Sequence, residues 1–338
     1  MAVTGQEKPN IRQVATLAGV SPMTVSRVLN DSPRVLPDTR ERVLAAINEL
    51  NYRPNSTARA LATQRTRRIG VLMDSVAEHG PTSTLRAIEF AAREVGYTVT
   101  SVSIRDDSQS PEESVVHLTD QGVDALCVVA PRSSSVSAIK RIDVGLPVLV
   151  VKSERDDAFL TVSVDQRGGT HLAVDHLAVL GHRDILHLAG PLDWLDARSR
   201  ERAFHSRTQS WGMRERPIVV GDWTADFGYE FARDLTRLPD YTAIFAANDE
   251  MALGVIHGLA VNGIRVPQDM SVVGFDDLPT TRHFLPPLTT VRQDFHTLGV
   301  TAMEALQAAI EGRPIPQRTK IPAELVVRES SAPPRGAP

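Results

Sequence analysis

The chain has a single cysteine in 338 residues, Cys127. No disulfide can therefore close within it, and no cysteine-built zinc cluster can form. Cys127 lies inside the apolar run DALCVVA and reads as a buried small hydrophobe. No apolar stretch approaches the roughly 18 residues that a membrane-spanning helix needs, and the N-terminus carries no apolar leader core. The expectation is a cytoplasmic protein without membrane contact. Motifs that announce common catalysts are missing as well: there is no GxGxxG after the first strand, no P-loop, no HExxH and no nucleophile elbow. His79, His182, His187 and His283 are scattered along the chain, and a lone histidine is more often structural than catalytic. Neither an enzyme nor a bound cofactor or metal is expected.

What the chain does carry is concentrated first in residues 9–30, PNIRQVATLAGVSPMTVSRVLN. Ile11, Val14, Ala15 and Ala18 fall on one helical stripe, Gly19 permits a turn, and Ser21 can cap a second helix from Pro22 to about Leu29. Val25, Val28 and Leu29 face the same small core. Pro22, Met23, Thr24, Ser26 and Arg27 are left outward, a set able to reach phosphates and base edges in a major groove. That is a helix-turn-helix. Residues 37–50 read as a third helix with Val43, Leu44, Ile47 and Leu50 inward. Residues 55–68 follow, with helical character in their first eight positions only, too few for a stable helix in water, where isolated helices below about 12 residues are marginal. This is a conditional helix that needs DNA or a second copy as partner, with Leu61 suited to act as a wedge between base steps of the minor groove; a plain linker is the alternative.

Charge is segregated along the chain. Residues 1–68 hold 11 Lys and Arg against 5 Asp and Glu, a net of +6, and the remainder carries −10. A basic head on an acidic body concentrates affinity for a polyanion in one domain.

From Ile69 onward, short apolar runs alternate with helical stretches, the pattern of βαβ units and parallel sheets. IGVLM, TVTSVSI, ALCVVA and PVLVVK form one series; VSVD, DILHLAG, PIVVGDW, AIFAAND and SVVGFDD form a second. Two similar sheets imply two lobes. A final helix (295–311) and strand (321–328) are expected to return to the first lobe. Ligands of such sheets bind beyond the carboxyl ends of strands, and there the second lobe offers Arg198 and Arg200 in AGPLDWLDARSR, Trp223 in GDW, Asn248 and Asp249 in ANDEMALG, and Asp276 and Asp277 in SVVGFDD. Each taken singly is ambiguous, since an Asn-Asp pair can be a cap and a Trp can be core, but together they suit a hydroxyl-rich ligand with an apolar face.

The runs VATLAGVSPMTVSRVLN, TRERVLAAINELNYRPN, HLAVLGHRDILHLAGP, ANDEMALG, SVVGFDD and PPLTTVRQDF resemble the signatures of the LacI/GalR (lactose/galactose repressor) family of transcriptional regulators, over about residues 10–328. The resemblance implies an α/β fold class: a small all-α helix-turn-helix head plus a two-lobed, periplasmic-binding-protein-like body of two parallel sheets. The implied domains are a head (1–54), a hinge helix and linker (55–68), a first lobe (69–163 with 294–328), a second lobe (164–293) and a disordered tail (329–338). It also implies a sequence-specific repressor released from a palindromic double-stranded DNA operator by a small sugar. A corepressor-dependent regulator and a sugar-binding transport protein remain as alternatives. Carried over residue by residue, the DNA-binding positions are Ser21, Pro22, Met23, Thr24, Ser26, Arg27, Asn30, Ala58 and Leu61. The effector-binding positions are Asp74, Lys152, Arg200, Trp223, Asn248, Asp276, Gln293 and Phe295.

Departures from the family's lactose-binding branch stand beside these matches. Lys152 replaces an acid near the sugar, and an apolar patch at the cleft mouth gives way to residues including Asp74, Glu78 and Thr84. Lys152 either selects an anionic sugar or pairs with Asp74, Glu78 or another nearby acid. Pro22 and Met23 replace a polar pair, so operator preference should differ. The chain ends in SSAPPRGAP, which has no heptads, so a homodimer is expected.

Overall fold

The computed structural model describes residues 9–29, 32–52, 65–74, 78–104, 110–129, 132–152, 156–234, 238 and 240–335. The chain divides into two compact units, Met1–Thr66 and Arg67–Pro338.

In the first unit, α1 spans Ile11–Ala18, α2 Pro22–Leu29 and α3 Pro37–Glu49. Asn10 starts α1: its side chain accepts from the amides of Arg12 and Gln13, and Gln13 returns a bond to the Asn10 amide, closing a capping box. Gly19 ends the helix at φ +64°, a left-handed conformation that glycine adopts without strain. Ser21 caps α2 as expected, its hydroxyl accepting from the Thr24 amide at 3.2 Å. Val14, Ala15, Ala18, Val25, Val28, Val43 and Ala46 form the core. Leu44 departs from the expected stripe: it is 46% exposed, and Ala46 takes the inward place.

The second unit opens with β1 (Arg68–Met73), α4 (His79–Glu94), β2 (Thr98–Ser103), α5 (Pro111–Asp120), β3 (Ala125–Val129), α6 (Ser133–Ile139), β4 (Val148–Val151) and β5 (Leu160–Val164). It continues with α7 (Gln166–Val179), β6 (Ile185–Ala189), α8 (Leu195–Ser210), β7 (Val219–Val220), α9 (Ala225–Arg233), β8 (Ala243–Ala246), α10 (Asp249–Val261) and β9 (Ser271–Asp276). After these come β10 (Thr289–Arg292), α11 (Phe295–Ile310), β11 (Arg318–Ile321) and β12 (Glu324–Val326).

Two six-stranded sheets result, ordered β11-β5-β4-β3-β1-β2 and β12-β10-β9-β8-β6-β7. The first is parallel throughout; the second is parallel except at β12, which runs antiparallel to β10. Central strands such as β3 and β4 are buried along their whole length, as a sheet covered on both faces requires. One face of the first sheet packs Ile69, Val71 and Val162 against Ile88 of α4 and Leu298, Ala302 and Leu306 of α11; each such buried aliphatic side chain contributes about 1.5–3 kcal/mol. In the second lobe His187 is a core residue, stacked at 4.8 and 4.9 Å on Phe204 and Phe245, and burial pushes its imidazole down to about 3.

The chain passes between the lobes at 165–166, 293–294 and 322–323, where β5 leads into α7, β10 into α11, and β11 into β12. The last crossing corrects the expected single strand 321–328 in the first lobe. Pro322 has no amide to donate to a ladder, so the run breaks there: β11 pairs with β5, and β12 with β10 of the second sheet. The expected disordered tail is also corrected for its described residues. The Ser330 hydroxyl accepts from the Thr289 amide and donates to the Val272 carbonyl, Ala332 binds Ser271 and His182, and Arg335 meets Asp269 at 2.5 Å.

Helices α9 and α10 pack with almost no gap. A Cβ on Gly254 would stand 1.8 Å from the Ala225 carbonyl oxygen, and one on Gly228 would stand 2.2 Å from that of Met251. Both obstructions are backbone, which cannot swing aside. Gly254→Ala is therefore expected to destabilise the body by about 3 kcal/mol, the upper part of the overpacking range, read as a lowered midpoint in urea unfolding. An unchanged midpoint would mean that the two helices slide apart freely.

Candidate functional site: an interlobe cavity and a helix-turn-helix face

A cavity lies between the two lobes of the body, enclosing about 630 Å³ including its open mouth. The first lobe lines it with Glu78, His79, Thr84, Val129, Val151, Val164, Phe295 and Leu298. The second lobe contributes Trp194, Asp196, Arg200, Trp223, Asn248 and Asp276, and the crossings contribute Gln166 and Gln293. The second-lobe groups follow the carboxyl ends of β6, β7, β8 and β9, where open parallel sheets place their ligands. Trp223 (φ +74°) and Asp276 (φ +114°) both hold left-handed backbone conformations, which cost side-chain-bearing residues on the order of 1–3 kcal/mol and gather at ligand sites. The Trp223 ring also depends on Gly190, where a Cβ would stand 2.1 Å from it.

Arg200, on α8, is the cationic centre. Only 5% exposed, it lies over the Phe275 ring at 4.3 Å and the Trp223 ring at 5.3 Å, and its Nη1 donates to the Ala247 carbonyl. Burial pulls the guanidinium below its ordinary value, while Asp276, Asp196 and Asp249 push the other way. Asn248 serves both readings that the sequence left open. Its Oδ1 caps α10 by accepting from the Met251 amide at 3.0 Å, and its Nδ2 donates to the Trp223 carbonyl and to Glu250. Burial raises Asp276 to about 6, against the opposing pull of Arg200 and of Gln293, whose Nε2 donates to Oδ1 at 2.6 Å. Gln166 donates in turn to Gln293 at 2.8 Å, so two crossing segments and the end of β9 share one amide relay. Burial, then Asp276, raises Glu250 to about 7.

Among the described residues, four buried polar atoms of this lining have no partner: Arg200 Nε, Trp223 Nε1, Gln166 Oε1 and Glu78 Oε2. A buried polar group left unpaired is costly unless something meets it. The lining thus offers two donors and two acceptors aimed at a polar ligand, with apolar walls between.

Six of the eight effector positions expected from the sequence, Arg200, Trp223, Asn248, Asp276, Gln293 and Phe295, line this cavity together. Asp74 and Lys152 do not. Asp74 accepts from the Arg132 amide and from the Ser135 hydroxyl at 2.5 Å, bracing the start of α6. Lys152 is 4% exposed and meets Asp156 at 2.5 Å, an acid that Lys140 reaches at 2.8 Å. Burial alone would raise Asp156, but its bonds from the two lysines hold it down at about 2. Lys152 therefore takes the pairing alternative, with Asp156 as the acid. Arg198 turns back to its own loop through the Leu192 carbonyl, and Asp277 is held by Arg292 and Arg328. Glu78, His79, Gln166, Trp194 and Asp196 were absent from the expected set. For Asp196 a signal was present, since it stands in the segment that follows β6.

On the head, Pro22, Met23 and Arg27 are exposed on α2, and Thr24 and Ser26 are half-buried beside them. Met23 is 64% exposed. Asn30, Ala58 and Leu61 lie outside the described residues.

A helix-turn-helix unit and a separate two-lobed body with a polar cleft together define the class of ligand-responsive regulators of DNA. A family model for bacterial regulatory proteins of the lacI family matches residues 10–55, and one for a periplasmic binding protein-like domain matches residues 174–331. The lactose operon repressor of Escherichia coli (strain K12) is 36% identical over 95% of this chain and 90% of its own length. The transcriptional regulator CelR of Thermobifida fusca is 33% identical over 96% and 99%. A crystal structure of the lac repressor dimer bound to operator and the anti-inducer ONPF superposes with a TM-score of 0.85 at 33% identity, covering 96% of this chain and all of that one. The chain belongs to the LacI family.

Proposed function

We propose that the chain is a DNA-binding transcriptional repressor, acting as a cytoplasmic homodimer, that leaves a palindromic operator when a small sugar or sugar derivative fills the cleft between its lobes. One observation carries this reading: a helix-turn-helix with an open second-helix face and a cleft whose two lobes both present unpaired buried polar groups occur in the same chain. The CelR–cellobiose complex, with a TM-score of 0.72 and 31% identity, supports a sugar in such a cleft.

The proposed division of labour follows the chemistry of the side chains. Pro22 and Met23 enter the major groove at the start of α2, Arg27 reaches toward a guanine from its last turn, Ser21 holds the helix start, and Thr24 and Ser26 meet backbone or bases. In the cleft, Arg200, Asn248 and Asp276 hydrogen-bond ligand hydroxyls, Gln293 steadies Asp276, and Trp223 and Phe295 pack on an apolar sugar face. A ligand touching both lobes favours whichever lobe arrangement lets it make all those contacts at once. By linkage, operator and sugar then oppose each other equally. The expected hinge helix and linker, residues 55–68, lies at 55–64 outside the described residues. Among the described residues no group of acids, cysteines and histidines that could hold a metal occurs, and none of their helices is long and apolar enough to cross a membrane.

The test is selection of bound duplexes from a random pool by the purified protein, repeated with a panel of sugars. A palindrome that is lost when one sugar is added is the expected result; failure to enrich any sequence in any condition would overturn the proposal, and a palindrome recovered only with a sugar present would make that sugar a corepressor. Arg27→Ala is expected to cost about 1–3 kcal/mol on the selected site and to relax selectivity at one base pair. A uniform loss across all sequences would reassign Arg27 to a phosphate.

A further inference from the structure

The cleft has an electrical character that the matched positions alone do not explain. Its lining carries three carboxylates, Glu78, Asp196 and Asp276, and one guanidinium, Arg200. Arg200 already faces Asp276, Asp196 and Asp249. The lysine that would have balanced this charge, Lys152, is buried against Asp156 and lines no part of the cavity. His79 adds no cation, because burial lowers its imidazole more than Glu250 raises it. An anionic ligand would therefore enter a pocket with an excess of negative charge.

The unpaired atoms come from both lobes. The second lobe presents the donors Arg200 Nε and Trp223 Nε1 and, at the start of α7, the acceptor Gln166 Oε1, and the first lobe presents the acceptor Glu78 Oε2. Gln166, Arg200 and Trp223 are each more than nine-tenths buried, so these groups belong to a built site. Gln166 gives one amide N–H to Gln293, and its Oε1 acceptor is left without a partner. Glu78 stands just before α4, at the first-lobe side of the cavity. A carboxylate oxygen buried at that place needs a donor, and a charged donor gives a shorter, roughly twice stronger bond than a neutral one.

Building on the proposed sugar cleft, we infer that the effector is a polyhydroxylated ring bearing an ammonium group, an amino sugar or a glycoside of one, with the ammonium seated on Glu78 of the first lobe and ring oxygens turned toward Arg200 and Trp223. Glu78 is then the residue that sets specificity. Asp276 and Asn248 hold hydroxyls common to all sugars, whereas the Glu78 contact separates amine-bearing members from neutral and acidic ones. Uronic acids are rejected by the same charge that draws the amine.

The experiment is calorimetric titration of the full-length protein at neutral pH with matched series, each comprising a neutral hexose, its amino derivative and its uronate, together with the corresponding disaccharides. Glu78→Gln is measured in parallel. The amine-bearing member of one series is expected to bind at least tenfold tighter than its neutral parent. The substitution is expected to erase that advantage, weakening the amine-bearing member at least fivefold more than its neutral parent, which a merely structural role for Glu78 would not do. Neutral and amino members binding equally, a uronate binding tightest, or Glu78→Gln weakening every member alike would each overturn the amine assignment while leaving the sugar cleft standing. Binding by no member of any series would overturn the cleft reading itself, and the assignment with it.

Discussion

Arg200→Met is expected to yield a repressor that still selects its operator but releases it only at higher sugar concentration. Methionine keeps much of the arginine stem's volume, so packing on Phe275 and Trp223 is largely retained. What disappears is the guanidinium, and with it the unpaired Nε donor and the positive charge facing Asp276, Asp196 and Asp249. A donor lost at the ligand alone corresponds to about 1.5–3 kcal/mol for a charged hydrogen bond, so sugar affinity should fall roughly 10- to 100-fold. The measurement is fluorescence anisotropy of a labelled operator with rising sugar concentration: the release curve should move to higher sugar with no change in operator affinity in its absence. A curve that stays in place would show that Arg200 only braces the lining.

Much of the architecture was legible because each buried strand is a short apolar run and each helix has a marked start. Strands such as Ala125–Val129 and Ser271–Asp276 are buried at every position, so nothing in their composition competes with the assignment. Edges were less legible. The run PIVVGDW gives only Val219–Val220 as strand, since an outermost strand has one neighbour and pairs with β6 at two positions. The segment 321–328 has the composition of one strand but serves two sheets, and only the placement of Pro322 at a lobe crossing reveals it. The tail, rich in proline and serine, has the composition of an unstructured end. It is held instead by hydroxyls that satisfy sheet-edge amides and carbonyls, Ser330 above all, and composition does not reveal such pairing.

The site was legible where a strand end fixes a side chain's place, and obscure where a partner decides its direction. Trp223, Asn248 and Asp276 stand at or just past strand ends and Arg200 on the helix that follows β6, and they converge. Lys152 stands at the end of β4 too, yet its ammonium belongs to Asp156, a residue that no strand-end rule singles out. A family position transfers a place in the backbone; the neighbouring charges decide whether the side chain faces the ligand. Gln166 shows the converse. It looks like an ordinary first residue of a helix, and its importance comes from a bond to Gln293 across 127 residues of sequence.

Asp276→Asn is expected to make the protein more stable and less able to hold its sugar. Burial raises the Asp276 carboxyl from an ordinary 3.8 to about 6, so the folded chain binds this proton more tightly than the unfolded chain does. The contribution of such a group is neutral below about pH 4, becomes steadily more unfavourable as pH rises to about 6, and is constant above that. At 1.36 kcal/mol per unit, the full penalty is about 3 kcal/mol. Asparagine has no charge to desolvate, its Oδ1 can still accept from Gln293 Nε2, and it tolerates the left-handed conformation that Asp276 adopts at φ +114° better than most residues. It also removes a negative charge that raises Glu250 toward about 7. The gain in unfolding free energy should therefore be about 3 kcal/mol at pH 8 and about half that at pH 5. Sugar binding should weaken by about tenfold or more, because a carboxylate accepts hydroxyl hydrogen bonds more strongly than an amide does. Chemical denaturation at the two pH values, with a sugar titration at neutral pH, measures both effects. A variant less stable at pH 8, or one whose gain does not shrink toward pH 5, would show that the Asp276 charge is already compensated by Arg200 in the empty cleft and that no stability is held in reserve for the ligand.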